Sequence, residues 1–213
     1  MWKNNKFSCI GVLYGKMDLL KYLIVVSLLF YSGNMLAADK KLLLPLPQRD
    51  AMAVTGSTFV KTIDTVAFEV RENRIAEEIL SGNIPGFLRE FRKFSYRRNG
   101  TEIEFYALPD YLAIGTGEDF IRMPMGPVTA QRIADSLFCS LPTALLVDEI
   151  ARASEGAIEP FPFRPLGERN TFPVVFEDSN NAINALYRAK GYEPGQLISG
   201  LKKDVILWII VTV

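Results

Sequence analysis

The pair Asn99-Gly100 constrains this chain more than any other two residues. It sits in the middle of the stretch Arg92 to Ala107, whose apolar and polar residues alternate on either side of it. A type I′ turn needs positive φ at both central residues, and Asn followed by Gly meets that demand at the least steric cost. The turn fixes the register. Tyr96 falls opposite Ile103 and Phe94 opposite Phe105, so one face of the hairpin is wholly apolar. On the other face Arg97 opposes Glu102, so cross-strand pairing and turn chemistry agree.

Beyond the hairpin the theme repeats in shorter pieces. Asp110 to Ile114 and Phe120 to Met125 read as two strands turning through Gly115-Thr-Gly-Glu-Asp119. Pro124 has no amide proton, so the second strand must lie at an edge or end at that proline. Thr129 is a candidate cap for a helix over Ala130 to Phe138, with Ile133, Ala134, Leu137 and Phe138 inward. Ser140 is a candidate cap for the next helix, with Pro142 in its first turn. Leu146, Ile150 and Ala153 face in there, while Asp148 and Arg152 pair four residues apart outside.

Upstream, Phe59 to Ile63 reads as a short strand. From Glu69 a helix carries Ile75, Ala76, Ile79 and Leu80 on one face until Ser81-Gly82-Asn83 stops it. Asn83 then caps a second short helix that turns Phe87, Leu88 and Phe91 inward, with Pro85 near its first turn. Downstream, Glu159 to Pro165 can only be extended, because three prolines fix φ. Asp178 or Ser179 caps a helix with Ala182, Ile183, Leu186 and Tyr187, closed by Gly191. A short helix over Pro194 to Ser199 comes next. The fold class is α+β: a small antiparallel sheet, built from the hairpin and the two central strands, packed against several amphipathic helices. Phe94, Tyr96, Ile103, Phe105, Ile114, Ile133, Leu137, Leu146 and Ile150 should share one core.

The ends of the chain read differently. Residues 1–38 have the form of a secretory signal: Lys16 and Lys21 precede the apolar run Tyr22 to Tyr31, and Ala37-Ala38 offers a small-residue exit. That run is about half the ~20 residues a spanning helix needs, so no stable membrane span is expected in the mature chain. Met35 is a mediocre residue before such a cut, which leaves an uncleaved anchor open. Met17 is an alternative start. Residues 39–57 form a linker-like lead with Pro45 and Pro47, its Leu42 to Leu44 triplet tucked against the domain, and residues 58–207 form the α+β domain. Residues 208–213 are either an appended tail or a terminal strand. The nearly all-apolar run Val205 to Val213, without a polar exit, has the signature of an exposed, aggregation-prone edge, and it raises the expectation that a C-terminal portion is missing.

Composition enters as exclusion. The 213 residues contain 49% hydrophobic and 23% charged side chains, ordinary for a globular chain. The formal charge is zero, and leaving out Lys3, Lys6, Lys16, Lys21 and Asp18 of the leader leaves a small acidic excess. No nucleic-acid partner is expected from that balance. There is no histidine, which removes Ser-His-Asp and Cys-His pairs, a histidine base and the common zinc sets together. No cofactor motif is present and no metal is expected. Of the two cysteines, Cys9 lies in the leader, so the mature chain has one thiol and no internal disulfide.

The remaining polar residues offer one catalytic constellation. Asp119, Arg122, Gln131 and Asp135, with Arg132 beside them, could converge if the strand ending near Met125 packs beside the helix from Ala130. Carboxylate pairs serve as acid and base without histidine in glycosidases. The plainer reading pairs Arg132 with Asp135 in solvent. Gly115 to Asp119 lacks the signature of a phosphate or calcium loop and reads as a hairpin turn. Cys139, flanked by Phe138 and Leu141, reads as a buried, inert thiol rather than a reactive one. Phe161 and Phe163, between prolines, read as a clamp over their own domain, with a recognition strip as the alternative.

Several blocks in order carry a resemblance. Asp110-Tyr-Leu-Ala-Ile-Gly115, Glu118-Asp119-Phe120, Met123-Pro124-Met125, Pro127 to Asp135 and Cys139-Ser-Leu-Pro-Thr143 resemble a family of exported bacterial proteins of unassigned function. Ile79 to Pro85 with Phe87-Leu88, and Gly200 to Val205, resemble its flanking blocks. The resemblance spans about Phe59 to Leu207 and carries no activity. It departs at Ala144-Leu145-Leu146, where similar chains tend to be basic, and ends after Leu207, where similar chains continue into a second half containing histidine and aromatic residues. It implies an exported protein, periplasmic or extracellular. Two functions are compatible with it: a cell-envelope hydrolase-like protein, incomplete or inactive in this chain, acting on a cell-wall or glycan ligand; or a non-catalytic envelope binding or scaffold protein.

Overall fold

In the computed structural model, residues 41–159, 172–200 and 210–212 are described, the last three by backbone alone. The expected leader, the Phe161–Phe163 strip and most of the proline-rich stretch lie outside them.

The lead is built into the domain. The backbone amide of Leu44 donates to the Arg89 carbonyl at 2.9 Å and that of Phe91 to the Leu42 carbonyl at 2.9 Å, and Leu44 is buried. Helix α1 comes next at Gly56–Ile63, where a short strand is expected from Phe59 to Ile63. Phe59, Val60 and Ile63 are the buried side chains of this helix. Their spacing of one and four residues is helical, and packing overrides propensity. Helix α2, Phe68–Leu80, buries Ile75, Ala76 and Ile79 as expected.

After it the chain makes a single 3₁₀ turn at Gly86–Leu88 in place of the short helix expected after Asn83. Asn83 is 1% exposed and does no capping. Its amide donates to the Val54 carbonyl at 3.0 Å and to Glu78 Oε2 at 2.7 Å, and its Oδ1 accepts from Arg49 Nε at 2.8 Å. The residue ties the lead to α2.

Strands β1, Arg92–Arg98, and β2, Thr101–Ala107, form the hairpin in the expected register: Phe94 against Phe105, Tyr96 against Ile103, Arg97 against Glu102. Asn99 and Gly100 have φ of 50° and 81°, as a type I′ turn requires. Strands β3, Ala113–Gly115, and β4, Phe120–Arg122, are shorter than the expected pair and join each other antiparallel. The architecture is α+β, but hairpin and central strands do not share one sheet. The second side of β2 is taken by β7, Ile210–Thr212, giving the order β1-β2-β7, while β3-β4 stands as its own pair.

Helix α3 runs over Pro127–Ser136. It starts earlier than expected because Pro127 fits a first helical turn, where its missing N–H costs nothing. Thr129 is therefore inside the helix and buried, not its cap. Phe138, expected inside, is 86% exposed with φ of 55°, because the chain reverses at the helix end with the Cys139 amide on the Ala134 carbonyl. Helix α4, Ala144–Arg152, is capped by Thr143, whose Oγ1 accepts from the Leu146 amide, rather than by Ser140. Arg152 pairs with Glu149 rather than Asp148, and Ala153 is exposed where an inward position is expected.

Strand β5, Gly156–Ala157, pairs in parallel with β6, Ile198–Ser199, which replaces the helix expected over Pro194 to Ser199. Between them α5, Pro173–Lys190, begins well before Asp178 and ends on Gly191 at φ 71°, the expected stop. The single expected core is divided. Ile114, Ile133 and Leu137 belong with Ile63, Ile75 and Leu88 in the largest cluster, while Phe94, Phe105 and Ile150 form a second with Leu197. Tyr96 and Leu146 pack against this second group, and Ile103 is half-buried.

Candidate functional site

The turn between β3 and β4 places Asp119 against the start of α1. Its Oδ1 accepts from the Ser57 amide at 2.9 Å and its Oδ2 from the Ser57 hydroxyl at 2.6 Å. Its own carbonyl accepts from the Gly56 amide at 3.0 Å and the Thr116 amide at 2.9 Å. A carboxylate at this position satisfies orphan donors of the helix and meets the positive end of its dipole. Burial works to raise the Asp119 pKa. Hydrogen bonds from the Ser57 and Thr55 side chains and the Ser57 amide, with the charge of Lys61, outweigh it, so the carboxyl lies below its ordinary range. The approach demands glycine. A Cβ at Gly56 would stand 2.6 Å from the Ile121 nitrogen, and one at Gly115, φ 125°, would stand 2.2 Å from the Asp119 carbonyl.

Arg122, three residues on, points into a different environment. Its guanidinium grips Asp110, Nε at 3.0 Å from both carboxylate oxygens and Nη2 at 2.7 Å from Oδ2. Nη1 donates to Asn180 Oδ1 at 3.0 Å and Asn184 Oδ1 at 2.9 Å, both on α5. The guanidinium carbon sits 5.1 Å from the Phe120 ring centre and 5.3 Å from that of Tyr187. The side chains of Arg122 and Asp110 are 6% and 1% exposed. Burial pulls the Arg122 pKa down, but the Asp110 charge and its hydrogen bonds overcome this and raise it. Asn180 also donates to the Phe120 carbonyl at 2.8 Å, so the cluster fastens α5 to β4. The Tyr187 hydroxyl is buried without a hydrogen-bond partner among the described residues. Burial first, then the Asp110 charge, hold its pKa above the usual phenol range.

Gln131 and Asp135 lie on α3, hydrogen-bonded to each other at 2.8 Å at exposed positions. Arg132 reaches Asn73 on α2 at 2.8 Å, not Asp135. The four candidate residues thus answer to three sets of partners: Asp119 to α1, Arg122 to Asp110 and α5, and Gln131 and Asp135 to one another. Only the last two are brought together. Among the described residues no group of three or more carboxylate, thiol or imidazole side chains gathers to hold a metal ion. Cys139 is half-buried and its thiol donates to the Leu137 carbonyl at 3.1 Å. Burial pushes its pKa up to about 11, so the reactive thiolate is scarce at neutral pH.

Residues not singled out in the sequence carry much of this network. Asp110, Asn180 and Asn184 complete the Arg122 cluster. Glu72, buried on α2, accepts from the Gly126 amide at 2.7 Å and so holds the start of α3. A signal existed for one set: Asn180, Asn184 and Tyr187 recur at four and three residues, one face of a helix. An open groove of about 410 Å³ runs beside β1, lined by Arg92, Lys93, Ser95, Glu149 and Leu197 among others. Arg92 there is held by Glu155 at 2.9 Å and the Gly195 carbonyl at 2.7 Å. Comparison with protein-family models, curated proteins and solved structures finds no match for this chain.

Proposed function

We propose that this chain is a non-catalytic binding or scaffold protein of the cell envelope. The observation that carries this reading is the commitment of Asp119, Arg122, Gln131 and Asp135 to separate partners within the fold. An acid–base pair needs two carboxyl groups flanking one bond of the substrate. Here one carboxylate caps α1, and the other bonds to its neighbour one helical turn away.

Export is part of the proposal and is supported by the charged, apolar and small-residue order of residues 16–38 and by the blocks from Asp110 to Thr143 that resemble exported proteins. Among the described residues no helix is long and apolar enough to cross a membrane. The ligand class favoured by that location is cell wall or glycan. Incubation of the protein with purified cell wall and glycan fragments tests the reading. Saturable binding with no soluble product is the expected result. Release of product that disappears in Asp119→Asn, with the variant still folded, would restore the hydrolase reading.

A further inference from the structure

We propose that the outer edge of β1 takes up an extended acidic peptide as an additional strand. The hairpin geometry decides which backbone groups are free. With a two-residue turn, Arg98 and Thr101 close the ladder as a hydrogen-bonded pair, and bonded and non-bonded pairs alternate from there. Phe94, Tyr96 and Arg98 therefore turn their amides and carbonyls toward β2, while those of Ser95 and Arg97 point away from it. Both residues are exposed. Among the described residues no strand pairs with β1 on that side, since the sheet order is β1-β2-β7.

Charge selects the kind of strand. The sequence of β1, Arg-Lys-Phe-Ser-Tyr-Arg-Arg, has four cations and no anion in seven residues. Arg92 is neutralised by Glu155 and Lys93 by Glu104. Arg97 and Arg98 make no ion pair among the described residues. The groove supplies room beside the strand, with Arg92, Lys93, Phe94 and Ser95 all on its wall. Its own carboxylates are already engaged, Glu155 by Arg92 and Glu149 by Arg152. Unpaired backbone groups recognise a peptide. Because Arg97 and Arg98 are consecutive and lie on opposite faces of the sheet, two adjacent side chains of the added strand would meet the two guanidinium groups that lack an ion pair among the described residues. Two adjacent acidic residues are the matching pattern.

The proposal rests on the binding reading above, and glycan turnover would overturn that reading without deciding this one. The probe is a labelled threonine-rich peptide with a central Glu-Glu pair, about seven residues long to match the strand, added to the full chain. Saturable binding is expected, with slowed exchange of the Ser95 and Arg97 amides. Methylating the alternate peptide nitrogens that face the edge should weaken binding at least about tenfold. The double variant Arg97→Glu, Arg98→Glu should reverse the preference toward a lysine–threonine peptide. Equal binding of the methylated peptide, or displacement by polyphosphate with unchanged amide exchange, would reduce the surface to charge alone and sink the proposal. No binding at all would overturn it too and leave the cations as guards against self-pairing of an open edge.

Discussion

At the scale of single residues, the buried pair Asp110–Arg122 is the most consequential feature. Two charges taken out of water repay the cost only with good geometry and further hydrogen bonds, and Arg122 has both, in Asp110 on one side and Asn180 and Asn184 on the other. Removing one partner strands the other. Asp110→Asn should cost about 3–5 kcal/mol, read as a lower denaturation midpoint at unchanged slope. Tyr187→Phe should behave in the opposite way. It keeps the ring against the guanidinium and deletes a buried hydroxyl that has no hydrogen-bond partner among the described residues, so stability should stay level or rise by about 1 kcal/mol. A loss as large as that of Asp110→Asn would show that the hydroxyl is bonded in solution. The same scale shows why Asp119 and Arg122 drew attention as a site: polar residues without a visible structural task look functional until their partners, tens of residues away in sequence, are known.

At the scale of elements, helix ends decide most of what differs from expectation. Asp119 caps α1 from across 62 residues, Glu72 holds the start of α3 from α2, and Thr143 rather than Ser140 begins α4. The Asp119 cap has a pH signature. Its folded pKa is lowered, so the stability it contributes is fully present above the unfolded value of about 3.9 and is lost as pH falls through the folded value. Asp119→Asn should therefore lower stability by about 1 kcal/mol near neutrality, and the gap from the wild type should close in acid. A gap that stays constant from neutral to strongly acidic pH would assign the loss to packing instead. The hairpin, by contrast, needs only its own residues: Asn99-Gly100 fixes turn and register together.

At the scale of the whole molecule, the two larger of the three hydrophobic clusters among the described residues divide most of the work. One gathers α1, α2, α3 and the β3–β4 pair, and the other gathers the hairpin, α4 and Leu197. The three backbone positions Ile210 to Thr212 cover the β2 edge opposite Ala107, Tyr106 and Phe105. Expressing the chain through Leu207 should uncover that edge, lower the melting temperature and increase self-association on sizing; unchanged melting and a monomeric profile would mean that the added strand contributes nothing. The sequence by itself determined whatever is local: the hairpin register, the apolar face of α2, the Gly191 stop of α5, the α+β class. Turn chemistry and side-chain periodicity act over a few residues, so they are legible without a structure. Only the tertiary structure decided the separation of the hairpin and the central strands into different sheets, the helix at Gly56–Ile63, the exposure of Phe138, and the dispersal of Asp119, Arg122, Gln131 and Asp135. Each depends on partners distant in sequence, and the free energy that selects among them is burial and hydrogen-bond satisfaction, which a linear pattern does not locate.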